Sequence, residues 1–586
     1  MSVLTGTQAG FWKAFMDAIR EAGEVPSEIV ERAEAMSSSG AERPDRALLL
    51  NGADEWAVCR ALAAASGCQT ADPVSDPPSP DALAAVPRQI ATRLRAVPLR
   101  IEDGSLVVAI ADPLDIPRLS EISVASGRSA RPVLTTRSLL EQAIRLAYPS
   151  EELQSVLDEL GASSEQRQER PQADAQDDRT PVARLFSSLI DRAIRDEASD
   201  IHIQPRQGAS RVRFRIDGVL HDVAVISPSA HDSVVARIKA LSGMDVADKM
   251  RPQDGRMMVS ARGIHADARV ATLPTPFGEQ VVLRILRTPG HQISLKKLGM
   301  SDEQAAVLHA AVERTAGGLI LVCGPTGAGK TTTLYSLLQR CNTPDRAVAT
   351  VEDPVEYEIP GVTQISVNQK AGMTYAAALR GILRSDPDVI MVGEIRDLET
   401  ARLCIEASLT GHTVLTTLHT RTAPGAVDRL LQMGLEHYML ASSIAVVVAQ
   451  RLVRTVCRRC AAPEPIPAWA VQLFPKAAKA GMVMRGRGGP ECRWTGYRGR
   501  TGVFEVLNVT DTVREAITTR QPEPALAAVA SLAGYSPMLE DADSKVALGV
   551  TTPEEVLRSG ITDREPEGYR RQASSHEHAA TQEAGP

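Results

Sequence analysis

Aromatic residues are scarce in this 586-residue chain, 3% in all. That scarcity argues against a binder of single-stranded nucleic acid, which stacks bases on exposed Phe, Tyr or Trp. An excess of positive charge is missing as well. With a formal net charge of -7 there is no global footprint for nucleic acid, and a translocase reading would need a local basic channel. No apolar run is long enough to span a bilayer, and the most apolar stretch, Met439 to Gln450, stops at Arg451. The opening residues lack a basic flank followed by an apolar core and a small-residue cleavage site, so no secretory signal is expected and the chain is expected in the cytoplasm. Eight cysteines scattered over this length make no disulfide framework and fit a reducing compartment.

What is present divides into several pieces, since one hydrophobic core does not extend over so long a chain. Residues 1–150 read as a small α+β domain, with helical periodicity in "EWAVCRALAAASG" and a hairpin in "LRIEDGSLVVAIADP" turning at Asp103-Gly104. Residues 151–180 are polar and charged, with too few apolar groups to offset the entropy of ordering, and are expected to be a flexible linker. A second α+β domain is expected over 181–290. It opens with an amphipathic helix whose apolar positions are Val182, Leu185, Leu189 and Ala193, and continues as a mostly antiparallel sheet turning at Asp217-Gly218 and between Pro274 and Gly278. Over 291–456 apolar strands alternate with helices, the pattern of a parallel sheet with crossovers. A cysteine segment at 457–500, a C-terminal helical region at 501–562 and a disordered tail at 563–586 complete the expected order.

The chemistry concentrates in the α/β region. "GGLILVC", suited to a buried parallel strand, runs into Gly324, Pro325, Thr326, Gly327, Ala328, Gly329, Lys330, Thr331 and Thr332, and a helical stretch follows. Glycines without side chains let backbone N–H groups wrap phosphates, and the helix N-terminus adds partial positive charge. Lys330 is then expected to reach the β- and γ-phosphates of ATP, and the Thr331 hydroxyl to ligate magnesium.

Two later strands end in acids, "VATVED" at Glu352 and Asp353 and "DVIMVGE" at Glu394. Ligands of such sheets sit at the carboxyl ends of the strands, so all three acids are expected beside the loop. The residue before Glu394 is Gly393, where the usual magnesium-side motif has Asp, which leaves Glu352 or Asp353 for the metal side and Glu394 to orient or deprotonate the attacking water. His412 and His419 bracket a further strand. His419, at its carboxyl end, is placed to sense the γ-phosphate, whereas His412 reads as a packing residue.

In order and spacing "GPTGAGKTTTLY", "TVEDPVEY", "RSDPDVIMVGEIRDLETA" and "ASLTGHTVLTTLHT" resemble the Walker A, Asp box, atypical Walker B and His box of the secretion ATPase superfamily. Upstream, "EASDIHIQP", "VRFRIDGVL" and "RPQDGR" resemble that family's second N-terminal domain, and "ALAAASG" with "LVVAIADPLD" its first. The resemblance implies a RecA-like P-loop ATPase core preceded by a PAS-like domain and a small N-terminal domain that docks an adaptor. It also implies a homohexameric ring in which two arginines of the PAS-like domain, here Arg269 and Arg284, approach the γ-phosphate. The implied partners are a membrane-anchored cytoplasmic adaptor and an inner-membrane platform protein, with no nucleic acid. "TVEDPVEY", "EASLTGH" and "AQRLVRTVC" lean toward the type II secretion branch, with a type IV pilus extension motor as the cousin reading. A non-hydrolysing scaffold is a third reading, against which the complete acidic set argues.

Cys457, Cys460 and Cys492 resemble the family's zinc-binding insertion, usually two C-x-x-C pairs, but Gly489 stands where the fourth cysteine would fall. Three thiolates are one short of a closed structural site. Either Glu491, another acid or water completes it, or the metal has been lost.

Overall fold

The structure is a computed structural model that describes residues 8–38, 42–148, 180–286, 294–314 and 317–562. The chain forms two compact units, one up to Arg287 and one from Thr288 onward, apart from the short piece 467–469. The linker expected at 151–180, apart from Thr180, and the tail expected at 563–586 lie outside the described residues.

The first unit begins with helices around a four-stranded sheet. Its strands are β1 (Gln69–Thr70), β2 (Val97–Glu102), β3 (Ser105–Ile110) and β4 (Ala130–Leu134), in the order β1-β4-β3-β2. β2 and β3 are antiparallel, and Asp103 and Gly104 between them both have positive φ, the two-residue turn whose twist suits a hairpin.

Next comes a helix, Pro181–Arg195, capped by the Thr180 hydroxyl accepting from the Ala183 N–H. It packs with helix Pro228–Leu241 on a six-stranded antiparallel sheet. Those strands are β5 (Asp200–Arg206), β6 (Ala209–Ile216), β7 (Val219–Ile226), β8 (Gln253–Ala261), β9 (Ile264–Thr275) and β10 (Gly278–Leu286), ordered β7-β6-β5-β10-β9-β8. Strict alternation decides its two faces. Ile201, Ile203, Val212, Phe214, Val270, Val281 and Leu283 are buried with the helices, and the other face carries Asp200, Arg211, Arg213, Arg215, Arg269 and Arg284 among its intervening positions.

The second unit is built on a seven-stranded sheet. β11 (Gly318–Cys323), β12 (Val348–Glu352), β13 (Thr363–Ser366), β14 (Val389–Val392), β15 (Thr413–Leu418) and β16 (Ile444–Val456) run parallel in the order β13-β12-β14-β15-β11-β16. Most strands are buried along their whole length because helices cover both faces.

The cysteine segment holds a two-stranded ribbon, β17 (Ala461–Pro465) with β18 (Met482–Gly486). After it the expected helical region 501–562 needs correction, since it opens as a strand, β19 (Tyr497–Asn508), antiparallel to β16 and part of the core sheet. Val503, Phe504, Glu505 and Leu507 are all buried, so the two-residue periodicity is erased where both faces are covered. Helices Asp511–Thr518, Glu523–Leu532, Met538–Ala547 and Pro553–Arg558 follow.

Candidate nucleotide site

The loop after β11 lies between strand and helix, where an anion finds both backbone N–H groups and the helix dipole. Gly324 has φ 149°, and a Cβ there would sit 2.6 Å from the Gln450 carbonyl oxygen, so only glycine lets the loop leave the sheet so close to β16. Gln450 holds the loop from below. Its Nε2 donates to the Ala328 carbonyl at 2.7 Å, and its Oε1 accepts from the Thr333 hydroxyl at 2.8 Å. Thr331 is exposed and Thr332 half-buried at the first turn of helix Lys330–Cys341.

Lys330 folds over the loop and donates to the carbonyls of Gly324 at 2.8 Å and Pro325 at 3.1 Å. Burial, reinforced by Arg451, holds its ammonium below the ordinary lysine value, against the pull of Cys323 and Glu394. Lys330 Nζ is also 3.5 Å from Nδ1 of His419, whose Nε2 lies 3.3 Å from Glu394 Oε2.

The contacts continue outward. Arg396 Nε donates to Glu394 Oε1 at 2.6 Å, and Arg396 Nη1 lies 3.3 Å from Asp353 Oδ2. Lys330, His419, Glu394, Arg396 and Asp353 thus form one line of polar contacts across the carboxyl ends of β11, β15, β14 and β12. Burial pushes the Glu394 carboxyl up, but the hydrogen bond and charge of Arg396, with His419, outweigh it and hold the group below the usual carboxylate range.

Glu352 lies apart from this line. It is buried, and its oxygens accept from the Tyr335 hydroxyl, from Thr350 Oγ1 at 2.6 Å and from Gln364 Nε2 at 3.3 Å. Of the two acids ending β12, Asp353 is the one that joins the exposed cluster. Tyr375 connects the halves: burial first, then the charges of Glu394, Asp353 and Glu352, raise its hydroxyl well above the ordinary phenol value. That hydroxyl would stand 3.1 Å from a Cβ at residue 393, with the backbone of β12 within 3.5 Å, so the site fills the space of the Asp side chain that Gly393 lacks.

His412 Nδ1 lies 2.9 Å from the Ala407 carbonyl and 3.0 Å from Thr410 Oγ1, away from the loop, as a packing residue would. Arg396, Tyr375 and Gln450 are contributors that sequence reasoning missed. Arg396 sits two residues past Glu394 and was legible as a cation beside an acid, but Tyr375 and Gln450 gave no local signal.

In the first unit Arg269 and Arg284 are direct cross-strand partners on β9 and β10, and Arg256 on β8 faces Arg269. In the cysteine segment the thiols of Cys457, Cys460 and Cys492 all lie within 4.8 Å of one another, with Cys460 and Cys492 3.7 Å apart. A tetrahedral zinc with bonds of about 2.3 Å separates its sulfurs by about 3.8 Å, so the three thiols fit that ion. Glu491 does not join them, because its carboxylate is held by Arg459 at 3.3 Å and Arg498 at 3.5 Å.

Comparison with known proteins follows the same division of the chain. The model of the Type II/IV secretion system protein family matches residues 175–558, and that of the MshEN domain matches residues 66–154. The Type II secretion system protein E of Aeromonas hydrophila is 45% identical over 414 residues, 70% of this chain and 81% of its own length. The Type II secretion system protein HxcR of Pseudomonas aeruginosa is 46% identical over 381 residues, 65% of this chain and 78% of its own. The Type IV pilus assembly ATPase PilB of Thermus thermophilus is 36% identical over 513 residues, 86% of this chain and 57% of its own.

Proposed function

This chain belongs to the type II/IV secretion system protein family as an ATP-hydrolysing enzyme, and from that premise we propose that it is a motor of type II secretion, driving pseudopilus assembly and protein export. The line of contacts from Lys330 to Asp353 at the phosphate loop carries the reading. The higher identity to relatives named for type II secretion than to the pilus assembly ATPase supports this branch over the extension motor.

In this reading the loop from Gly324 to Thr332 holds the phosphates and Lys330 exchanges its bonds to loop carbonyls for the β- and γ-oxygens. Thr331 would hold magnesium, which when bound would supply positive charge to offset that of the phosphates. Glu394, held below the usual carboxylate range by Arg396 and His419, is the carboxylate that orients the attacking water. His419, hydrogen-bonded on one side toward Lys330 and on the other to Glu394, reports whether the γ-phosphate is present. Asp353 serves the metal side, and Glu352 enters only if nucleotide draws it from Tyr335. Arg269 and Arg284 bring positive charge to the γ-phosphate from the preceding domain.

The motor works as a homohexamer in the cytoplasm, held at the inner membrane by an adaptor and a platform protein. Among the described residues no helix is long and apolar enough to cross a membrane. Cys457, Cys460 and Cys492 would hold a zinc ion through their three thiolates, which would brace the segment they come from. Metal analysis of protein purified without chelator would find about one zinc per chain, reduced in Cys492→Ser, and a metal-free wild type would end that part of the reading.

The deciding experiment is Lys330→Ala in the host, with secreted proteins and surface pili both assayed. Loss of secretion with pili intact supports the type II role, and loss of pili with secretion intact moves the chain to the pilus branch.

A further inference from the structure

Asp200 is an acid in an unusual place. It lies on β5 at the centre of the six-stranded sheet, 5% exposed, on the face that carries the arginines. Its register partners are both arginines, Arg284 on β10 and Arg215 on β6. Oδ1 accepts from Arg284 Nε at 3.0 Å, while Oδ2 accepts from the Ser199 hydroxyl at 2.8 Å and faces Arg215 Nε at 3.5 Å. Arg215 is tied from its other end, Nη1 donating to the Gly218 carbonyl at 3.2 Å.

A carboxylate taken out of water is costly unless its lone pairs are met, and here both oxygens are engaged. The consequence for Arg284 is directional. Asp200 takes the Nε edge of the guanidinium, and the Arg284 side chain as a whole is 62% exposed. The two terminal amino groups, the part of the fork that grips a phosphate, therefore lie on the exposed end. A long side chain otherwise samples several rotamers, and one anchored at Nε loses most of that freedom before any ligand arrives.

We propose that Asp200 is a positioning residue that holds Arg284 by its Nε so that the terminal amino groups are aimed for phosphate. This rests on the reading above that Arg284 meets the γ-phosphate during turnover. Asp200 touches no substrate. Its effect is confined to the transition state, so its loss lowers kcat and leaves ATP binding alone.

The test uses the full-length protein and compares Asp200→Asn, Arg284→Ala and the double variant by steady-state ATPase kinetics, with nucleotide affinity and Tm measured on each. Asp200→Asn is expected to lower kcat about ten-fold, the scale of one lost charge-assisted hydrogen bond, with KM for ATP and Tm close to wild type. In the Arg284→Ala background the same change is expected to add nothing, because there is no guanidinium left to aim. An Asp200→Asn protein with wild-type kcat overturns the proposal, as does an equal further loss in the Arg284→Ala background. Wild-type turnover by Arg284→Ala sinks the reading of Arg284 itself instead. Should Asp200→Asn fail to fold, Ser199→Ala, which strips one bond from Asp200 but keeps its charge, carries the same comparison. A smaller kcat loss that disappears in Arg284→Ala supports positioning, and no loss overturns it.

Discussion

The two large sheets of this protein keep their charges in opposite places. The six-stranded antiparallel sheet spreads Arg256, Arg269, Arg284, Asp200 and Arg215 along one row across five of its strands. The seven-stranded sheet has no charge along its strands β11, β13, β14 and β15, and gathers Lys330, Glu394, Asp353 and His419 just past the strand ends. Layering explains the contrast. An antiparallel sheet with helices on one side leaves every second residue outside the core, whereas a sheet with crossover helices on both sides leaves only strand ends for polar chemistry. A sheet face offers a rigid lattice of spaced cations. Strand ends offer a convergent cluster.

If that contrast is right, the strand-end cluster is where a near-isosteric change does most damage. Glu394→Gln is expected to lower ATP turnover by about 10²- to 10⁴-fold while nucleotide affinity stays within a few-fold, and near-normal turnover would remove Glu394 from its role. Glu352→Gln provides the matching control, since its buried bonds predict a loss of Tm larger than its loss of turnover.

The next largest effect lies on the covered side of the six-stranded sheet. There Lys239 Nζ meets Glu279 at 2.8 Å and the Asp248 carbonyl at 2.7 Å, both side chains being almost wholly buried. Lys239→Met leaves Glu279 as a buried charge without its cation and is expected to cost about 3–5 kcal/mol, read by urea denaturation. Gln450→Ala follows, at about 1–3 kcal/mol, because the Ala328 carbonyl and the Thr333 hydroxyl lose their buried partner, and weaker nucleotide binding should accompany it. On the arginine-bearing face Gln280→Ala should change stability by no more than about 0.5 kcal/mol. A cost matching that of Lys239→Met would mean that this face is a core as well.

The pH dependence sharpens the comparison from both ends of the scale. Glu394 is held below the usual carboxylate range, so its ion pairs are kept above the unfolded value of about 4.3 and lost only as pH falls through the lower folded one. Lys330 is held below the ordinary value near 10.4, so nucleotide affinity of the free protein should begin to fall at a lower pH than an unperturbed lysine would dictate. Titrating ATP binding toward alkaline pH checks it, and affinity that is flat up to pH 10.4 would contradict the burial of Lys330.

Much of this was readable before any coordinates. The strand, glycine loop and helix around Lys330 are contiguous, and chemistry that lives in consecutive residues leaves its mark in them. The acid ending β14 and the histidine ending β15 were readable for a related reason: in a buried parallel sheet an apolar run can only stop where the strand does. The sequence therefore determined the phosphate loop, the identity of Glu394, Asp353 and His419 as strand-end groups, the alternating face of β9 and β10, and the three cysteines of one segment.

Tertiary structure alone decided which of these meet. It put Arg396 between Glu394 and Asp353, withdrew Glu352 under Tyr335, set Gln450 beneath the loop through a bond to Ala328, 122 residues earlier, and made 501–508, the start of the expected helical region, part of the last strand of the core sheet. It also paired Asp200 with Arg284 across 84 residues of chain. The reason is common to all of them. Burial on both faces erases periodicity, and a hydrogen bond between distant strands depends on sheet order and register, which no window of neighbouring residues contains.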